Sequence, residues 1–259
     1  ECFGFVAVLG FARYHSKWMR HGVGAVSRRM FRQLATPSIG FAGFILGNAI
    51  SIQGPIIVIG AILSPTAVAI FATLRILARA VVMFANVVFA TLRPEIAMAY
   101  GRDDIVLMQR LSNRAIQFSV WLAGTAFVAL MLLGPWIVEV WTVGRIEVTQ
   151  PLFALLVLAG MATLTWTGTA SALYATNNNQ AIATIYVVVA SVAVAASIFA
   201  AMIGGTSGVA AALALAELVV LALVFIRTLR FVDQSAGQVL RRVVVPPVDT
   251  LRLLFGRSA

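Results

Sequence analysis

AVAIFATLRILARAVVMFANVVFATL, residues 67–92, carries only two charges, Arg75 and Arg79. A helix needs about 20 apolar residues to cross the ~30 Å hydrocarbon core of a bilayer, and this run is long enough. At 100° per residue, Arg75, Arg79, Asn86 and the following Arg93 fall within about 40° of one another. Ile70, Leu77, Val81, Phe84 and Val88 take the opposite face. The segment therefore reads as a membrane-crossing helix with one polar stripe.

Five further segments of similar length and character lie at 37–62, 112–133, 151–175, 181–203 and 208–227. Over all 259 residues, 61% are hydrophobic, 11% are charged, and the mean hydropathy is +0.98. A water-soluble domain holds about 25% charged residues, and one core of this size could not bury such an apolar surplus. Disorder is excluded, because disordered chains are poor in apolar residues. An outer-membrane barrel would alternate over strands of about ten residues, not run apolar for twenty. The sequence predicts an all-α polytopic membrane protein with a six-helix transmembrane bundle at 36–229. Residues 1–12 read as the end of a truncated transmembrane helix, 13–35 as a basic cytoplasmic linker and 230–259 as a basic cytoplasmic tail.

The net charge of +10 raises the question of nucleic acid, and placement answers it. If the six segments cross in alternation, the linker, the stretch 93–114 and the chain from Arg227 onward share one side and hold sixteen of the nineteen basic residues. The other side carries Arg145 with Glu139 and Glu147. By the positive-inside rule the Arg-rich side is cytoplasmic, so topology explains the charge and no nucleic-acid partner is expected. The connections expected on the outer side are Ser64-Pro65-Thr66, 134–150 and 204–208. Those on the inner side are 93–111 and 177–180. The tail segment 238–256 is expected to lie on the inner membrane surface.

Packing signals include Gly43 and Gly47, spaced to let two helices approach closely, and Gly54-Pro55, which should kink its helix. Trp136 and Trp141 suit a headgroup interface.

A guanidinium deep in a bilayer costs from ~3 to more than 10 kcal/mol, so it faces an aqueous cavity or a partner. Arg93 can snorkel to headgroups. For Arg75 and Arg79 snorkelling is harder, and both are predicted to line a cavity and bind substrate there, with Asn86 on the same face; Asn48, a neutral polar residue of the first span, is a further binding candidate. Glu217 is the one carboxylate inside a span. It could carry a coupling proton, or stand as the fixed partner of Arg75 or Arg79; the sequence leaves both open. Thr163, Thr165, Thr167, Thr169 and Ser171 are expected to bond back to their own helix rather than to a ligand. Cys2 is the only cysteine, and both histidines, His15 and His21, lie in the linker. No catalytic constellation, metal-ligand set or phosphate loop is apparent, so neither an enzyme nor a cofactor is expected.

Several motifs in order carry a resemblance: Ile62-Leu63-Ser64-Pro65-Thr66-Ala67-Val68-Ala69 leading to Ala72-Thr73-Leu74-Arg75-Ile76-Leu77, then Arg93-Pro94-Glu95-Ile96-Ala97. Gly101-Arg102-Asp103-Asp104, Leu133-Gly134-Pro135-Trp136 with Val140-Trp141, and Gly205-Thr206-Ser207-Gly208-Val209-Ala210 with Ala216-Glu217 follow. The chain resembles the C-terminal half of the O-antigen-type polysaccharide-biosynthesis flippases, within the multidrug/oligosaccharidyl-lipid/polysaccharide exporter superfamily. The resemblance implies a bundle of six helices facing a second bundle across a cavity open to one side at a time. It implies a polyprenyl-diphosphate-linked oligosaccharide as substrate, carried to the outer leaflet of the bacterial inner membrane. Membrane lipids and the glycan polymerase and glycosyltransferases of the same route would be partners. Arg75 sits where the motif places a cavity cation. The alternatives are a cation-coupled multidrug exporter of the same superfamily, which should place carboxylates in its cavity, and a non-transporting membrane scaffold.

Overall fold

Local chemistry starts the longest apolar helices where the sequence changes character. Ser64 is extended (φ −162°, ψ 160°) and its hydroxyl accepts the Ala67 amide at 3.1 Å, while Pro65 fills the first turn, where no donor is missed. Asp104 does the same for the next helix, taking the Leu107 amide on Oδ1 at 2.9 Å. A computed structural model describes residues 27–244, and these residues form helices and short turns with no strand among them. The helices are α1 (Arg28–Ile62), α2 (Pro65–Gly101), α3 (Ile105–Thr142), α4 (Gln150–Thr169), α5 (Ser171–Ala175), α6 (Gln180–Val232) and α7 (Ala236–Val244). Five of them are long and apolar enough to cross a membrane: α2, α3, α4, α6 and the Ser38–Ile62 part of α1. The chain divides into two compact units, Glu1–Ser38 and Ile39–Ala259. Of the first unit only the opening of α1 is described, so the expectations for residues 1–12 and for most of the linker lie outside the described residues. Those for the tail beyond 244 do as well.

α6 is 53 residues long, but it is not one straight rod. Gly205 stands at φ 56°, ψ −140°, a conformation open to glycine and costly for any residue with a Cβ. Ala193 and Glu217 are 24 residues apart, about 36 Å along a straight helix, yet both line one small cavity. The chain therefore folds back at Gly205 into two limbs, Gln180–Gly204 and Thr206–Val232, at the glycine-rich break seen in the sequence.

Two apolar clusters mark opposite ends of the second unit. Val58, Phe71, Leu130, Val138, Phe153, Ala201 and Val209 gather at the end that holds the turns after α1, α3 and the first limb of α6. Ile96, Ala99, Met108, Leu111, Ala172 and Val232 gather at the other. The helices thus run alternately up and down. Arg102, Arg110 and Arg230 belong to the second end, and Arg145 to the first.

Element bounds depart from the sequence reading where hydropathy and helicity part company. The stretch 93–111 was expected as a connection, yet α2 continues to Gly101 and α3 starts at Ile105, leaving a three-residue turn with Asp103 at φ 55°. Likewise α3 runs through Pro135 to Thr142 before Val143 and Gly144 turn left-handed. α1 begins at Arg28, inside the expected linker. Arginine is a good helix former, so a helix does not stop where the hydrocarbon does. The span expected at 151–175 is divided at Ala170 into α4 and α5.

Of the tail segment 238–256, the part up to 244 is described, as the end of α7. α7 lies along α3: the Gln109 side chain donates to the Val232 carbonyl at 2.9 Å, and about three turns further Trp121 donates its indole N–H to the Val243 carbonyl at 2.8 Å. Val239 is buried. An indole N–H on an apolar helix and the free carbonyls of a helix end satisfy each other there.

Gly40, Gly43 and Gly47 bring α1 against the first limb of α6. A Cβ on Gly43 would meet Ala183 at 3.3 Å, whereas one on Gly47 would meet the Tyr186 ring at 2.8 Å and the Val187 backbone nitrogen at 3.1 Å. Gly47→Val is therefore expected to cost about 1–3 kcal/mol through overpacking, and Gly43→Ala much less. Thermal unfolding of the two variants in detergent should show the larger drop for Gly47→Val; equal behaviour would place the helices further apart than described.

Candidate functional site

The polar stripe of α2 lies beside its buried face, which is made by Phe71, Leu74, Ala78, Val82, Ala85 and Phe89. Ile76, Met83, Phe84 and Val87 turn outward and are exposed. Of the opposite face expected from the sequence, only Phe84 is fully outward; Ile70, Leu77 and Val81 pack on the edge of the core.

Arg79, Asn86 and Arg93 follow one another at seven-residue intervals and line a single cavity of ≈270 Å³. α1 contributes Asn48, Phe41 and Phe44, and α4 contributes Thr163, Trp166 and Thr167. Tyr174 of α5 and Tyr186 of α6 complete the wall. Among the described residues no carboxylate lines it. The cavity runs from mid-span, at Arg79, toward the Arg-rich end, at Arg93, a distance of about 21 Å along α2. Arg79 is half-buried and, among the described residues, has neither a hydrogen bond nor an ion pair. The Arg93 guanidinium stacks over the Tyr174 ring at 5.0 Å, and its Nε is buried without a partner. The Tyr174 hydroxyl is likewise buried and unpartnered.

Arg75 departs from the role expected for it. Its guanidinium does not line the cavity. Instead Nη2 donates to the Ser51 carbonyl at 2.8 Å and Nη1 to the Ile52 carbonyl at 3.0 Å. The reason is Pro55: a proline has no N–H, so the carbonyl four residues earlier, that of Ser51, loses its helical donor. Inside a membrane that carbonyl must be satisfied by protein.

Glu217 is buried, at 3% exposure, and lies outside the cavity. The Trp166 indole donates to its Oε2 at 2.8 Å and the Ser51 hydroxyl to its Oε1 at 3.3 Å. Arg75 and Arg79 both act on it electrostatically, but neither forms an ion pair with it among the described residues. Beside it lies a cavity of ≈10 Å³, room for about one water, bordered by Ser51, Tyr186 and Ser197. The hydroxyls of α4 bond back as expected: Thr163 to Ala159, Thr165 to Met161, Thr167 to Thr163 and Thr169 to Thr165, at 2.6–2.9 Å.

Of the residues singled out by sequence, the structure brings Asn48, Arg79 and Asn86 together and sets Arg75 and Glu217 in a separate buried network. The aromatic wall was missed. Phe44, Trp166 and Tyr186 lie with ring centroids 5.2–6.2 Å apart, and Phe44 meets Tyr174 at 5.7 Å. One signal was present: Trp166 in a span needs an acceptor for its N–H, and Glu217 is the one carboxylate inside a span. Comparison with family models, with curated proteins and with solved structures returns no match.

Proposed function

We propose that this chain forms one bundle of a membrane exporter that carries a polyprenyl-diphosphate-linked oligosaccharide from the Arg-rich leaflet to the opposite one, by alternating access. The observation that carries the reading is the cavity: two guanidinium groups with no carboxylate among the described lining residues, two carboxamides and five aromatic side chains in one wall. Arginine offers a bidentate fork to phosphate oxygens and keeps its charge in a low-dielectric setting. Asn48 and Asn86 suit sugar hydroxyls, and Phe44, Trp166, Tyr174 and Tyr186 offer flat faces to sugar C–H groups. A diphosphate with several sugars cannot cross hydrocarbon unaided, which gives such a wall a purpose. In this reading the five apolar helices make six crossings, because α6 contributes two. The membrane is the bacterial inner membrane, and the pathway's glycosyltransferases and glycan polymerase are its partners.

A multidrug exporter for organic cations fits less well, since a cationic drug would meet two arginines and no acid in the cavity. A scaffold role leaves the unpaired arginines without explanation. In this reading Glu217 stands as a buried counter-charge to Arg79 and Arg75 rather than as a substrate contact.

Topology provides a first test. Single cysteines at Ser64, Arg145 and Ser207 in a Cys2-free variant should react with an impermeant maleimide outside intact cells, and cysteines at Ser27 and Ser235 should react only after permeabilisation. Outside labelling at Ser235 would reverse the assignment. The function itself is tested by surface glycan in cells whose only copy carries Arg79→Glu or Arg93→Glu, as argued below.

A further inference from the structure

The geometry points to Arg75 as a positioning residue: its fork replaces the backbone donor that Pro55 removes, and Ser51 couples that fork to Glu217, pinning α1, α2, α4 and the second limb of α6 at one point. Three observations carry it. The carbonyl bonded by Arg75 Nη2 is that of Ser51, the one residue whose helical donor would have been residue 55. The second arm takes the next carbonyl, Ile52, so the planar guanidinium spans two successive peptide groups, which a lysine cannot do. Ser51 then faces both ways: its carbonyl accepts from the cation and its hydroxyl donates to Glu217, whose other oxygen holds the Trp166 indole. The positive and negative charges are thus balanced through one residue of α1 without touching.

A consequence follows for the cavity. Asn48 lies one turn before Ser51 on α1, and Trp166 and Tyr186 form the wall opposite. With the clamp in place α1 is tied to α2 one turn before Pro55, and these three cavity residues keep their places. Arg75 acts on ligand only through them.

The test is a rescue experiment on the full-length protein. Arg75→Met should lower the yield of folded, monodisperse protein at least tenfold, because it strands the Ser51 carbonyl and the Glu217 charge together. Adding Pro55→Ala, which gives Ser51 a backbone donor again, and Glu217→Gln, which removes the stranded charge, should restore the yield to within about threefold of the parent. An Arg75→Met protein that folds normally, whether or not it transports, would overturn the proposal, and so would a folding defect that the two added changes fail to relieve. In the unmodified protein, solid-state NMR should find a close 15N–13C contact between the Arg75 guanidinium and the Ser51 carbonyl that persists when inorganic diphosphate is added in excess. Loss of that contact on adding diphosphate would make Arg75 an anion ligand and contradict the assignment, even if the variants do not fold.

Discussion

Cells whose only copy carries Arg79→Glu together with Arg93→Glu are expected to lose surface glycan while the protein still reaches the membrane. The two residues line the same cavity, whose described lining holds no carboxylate, so each substitution replaces an anion-attracting group by a repelling one. Charged hydrogen bonds of this kind are worth about 1.5–3 kcal/mol each, and reversal of sign adds repulsion in a low-dielectric setting. Folding should be spared, because neither guanidinium holds an ion pair among the described residues. Arg→Lys at both positions should give an intermediate level, since lysine keeps the charge and loses the fork. Western detection of inserted protein beside the glycan assay separates loss of transport from loss of protein. Normal glycan in the double Glu variant would sink the cavity assignment.

The second large effect is expected at Glu217. Glu217→Ala removes the acceptor for the Trp166 indole, frees the Ser51 hydroxyl and leaves Arg75 buried without a counter-charge. Breaking a buried charge relationship costs about 3–5 kcal/mol, comparable to much of a domain's stability. Little folded Glu217→Ala protein should survive extraction. Glu217→Gln keeps an oxygen for the indole and should be less damaging, though weaker than the parent in thermal unfolding. If Glu217 were instead a free coupling site, Glu217→Gln would match the parent in stability and lose only ion-dependent transport. The two outcomes separate a structural acid from a coupling one.

The all-helical class, the long apolar helices, their alternating direction and the glycine break in α6 were legible in the sequence because hydropathy and Gly/Pro placement encode them directly. The overhanging ends of α2 and α3 were not. Hydropathy reports where the bilayer ends, while the backbone ladder continues through Arg93, Pro94 and Pro135. At the site, angular arithmetic placed Arg79, Asn86 and Arg93 on one face, and they share one cavity. The same arithmetic put Arg75 with them, only some 40° from Arg79. It could not see that Pro55, on another helix, leaves a carbonyl within reach of that arginine. Both halves of the motif, Gly54-Pro55 and Arg75, were visible separately; their pairing is a tertiary fact. The aromatic wall was hidden for a similar reason, since Phe44, Trp166, Tyr174 and Tyr186 come from four helices with no common spacing.

The most direct measurement of the central claim is equilibrium binding of a fluorescent polyprenyl-diphosphate sugar to the full-length protein in lipid nanodiscs. Binding should be competed by unlabelled polyprenyl diphosphate and not by the corresponding polyprenol, and the Arg79→Ala/Arg93→Ala variant should bind at least tenfold more weakly, about 1.4 kcal/mol or more. Equal affinity in parent and variant, or competition by the uncharged polyprenol as effective as by the diphosphate, would contradict an anion-holding cavity.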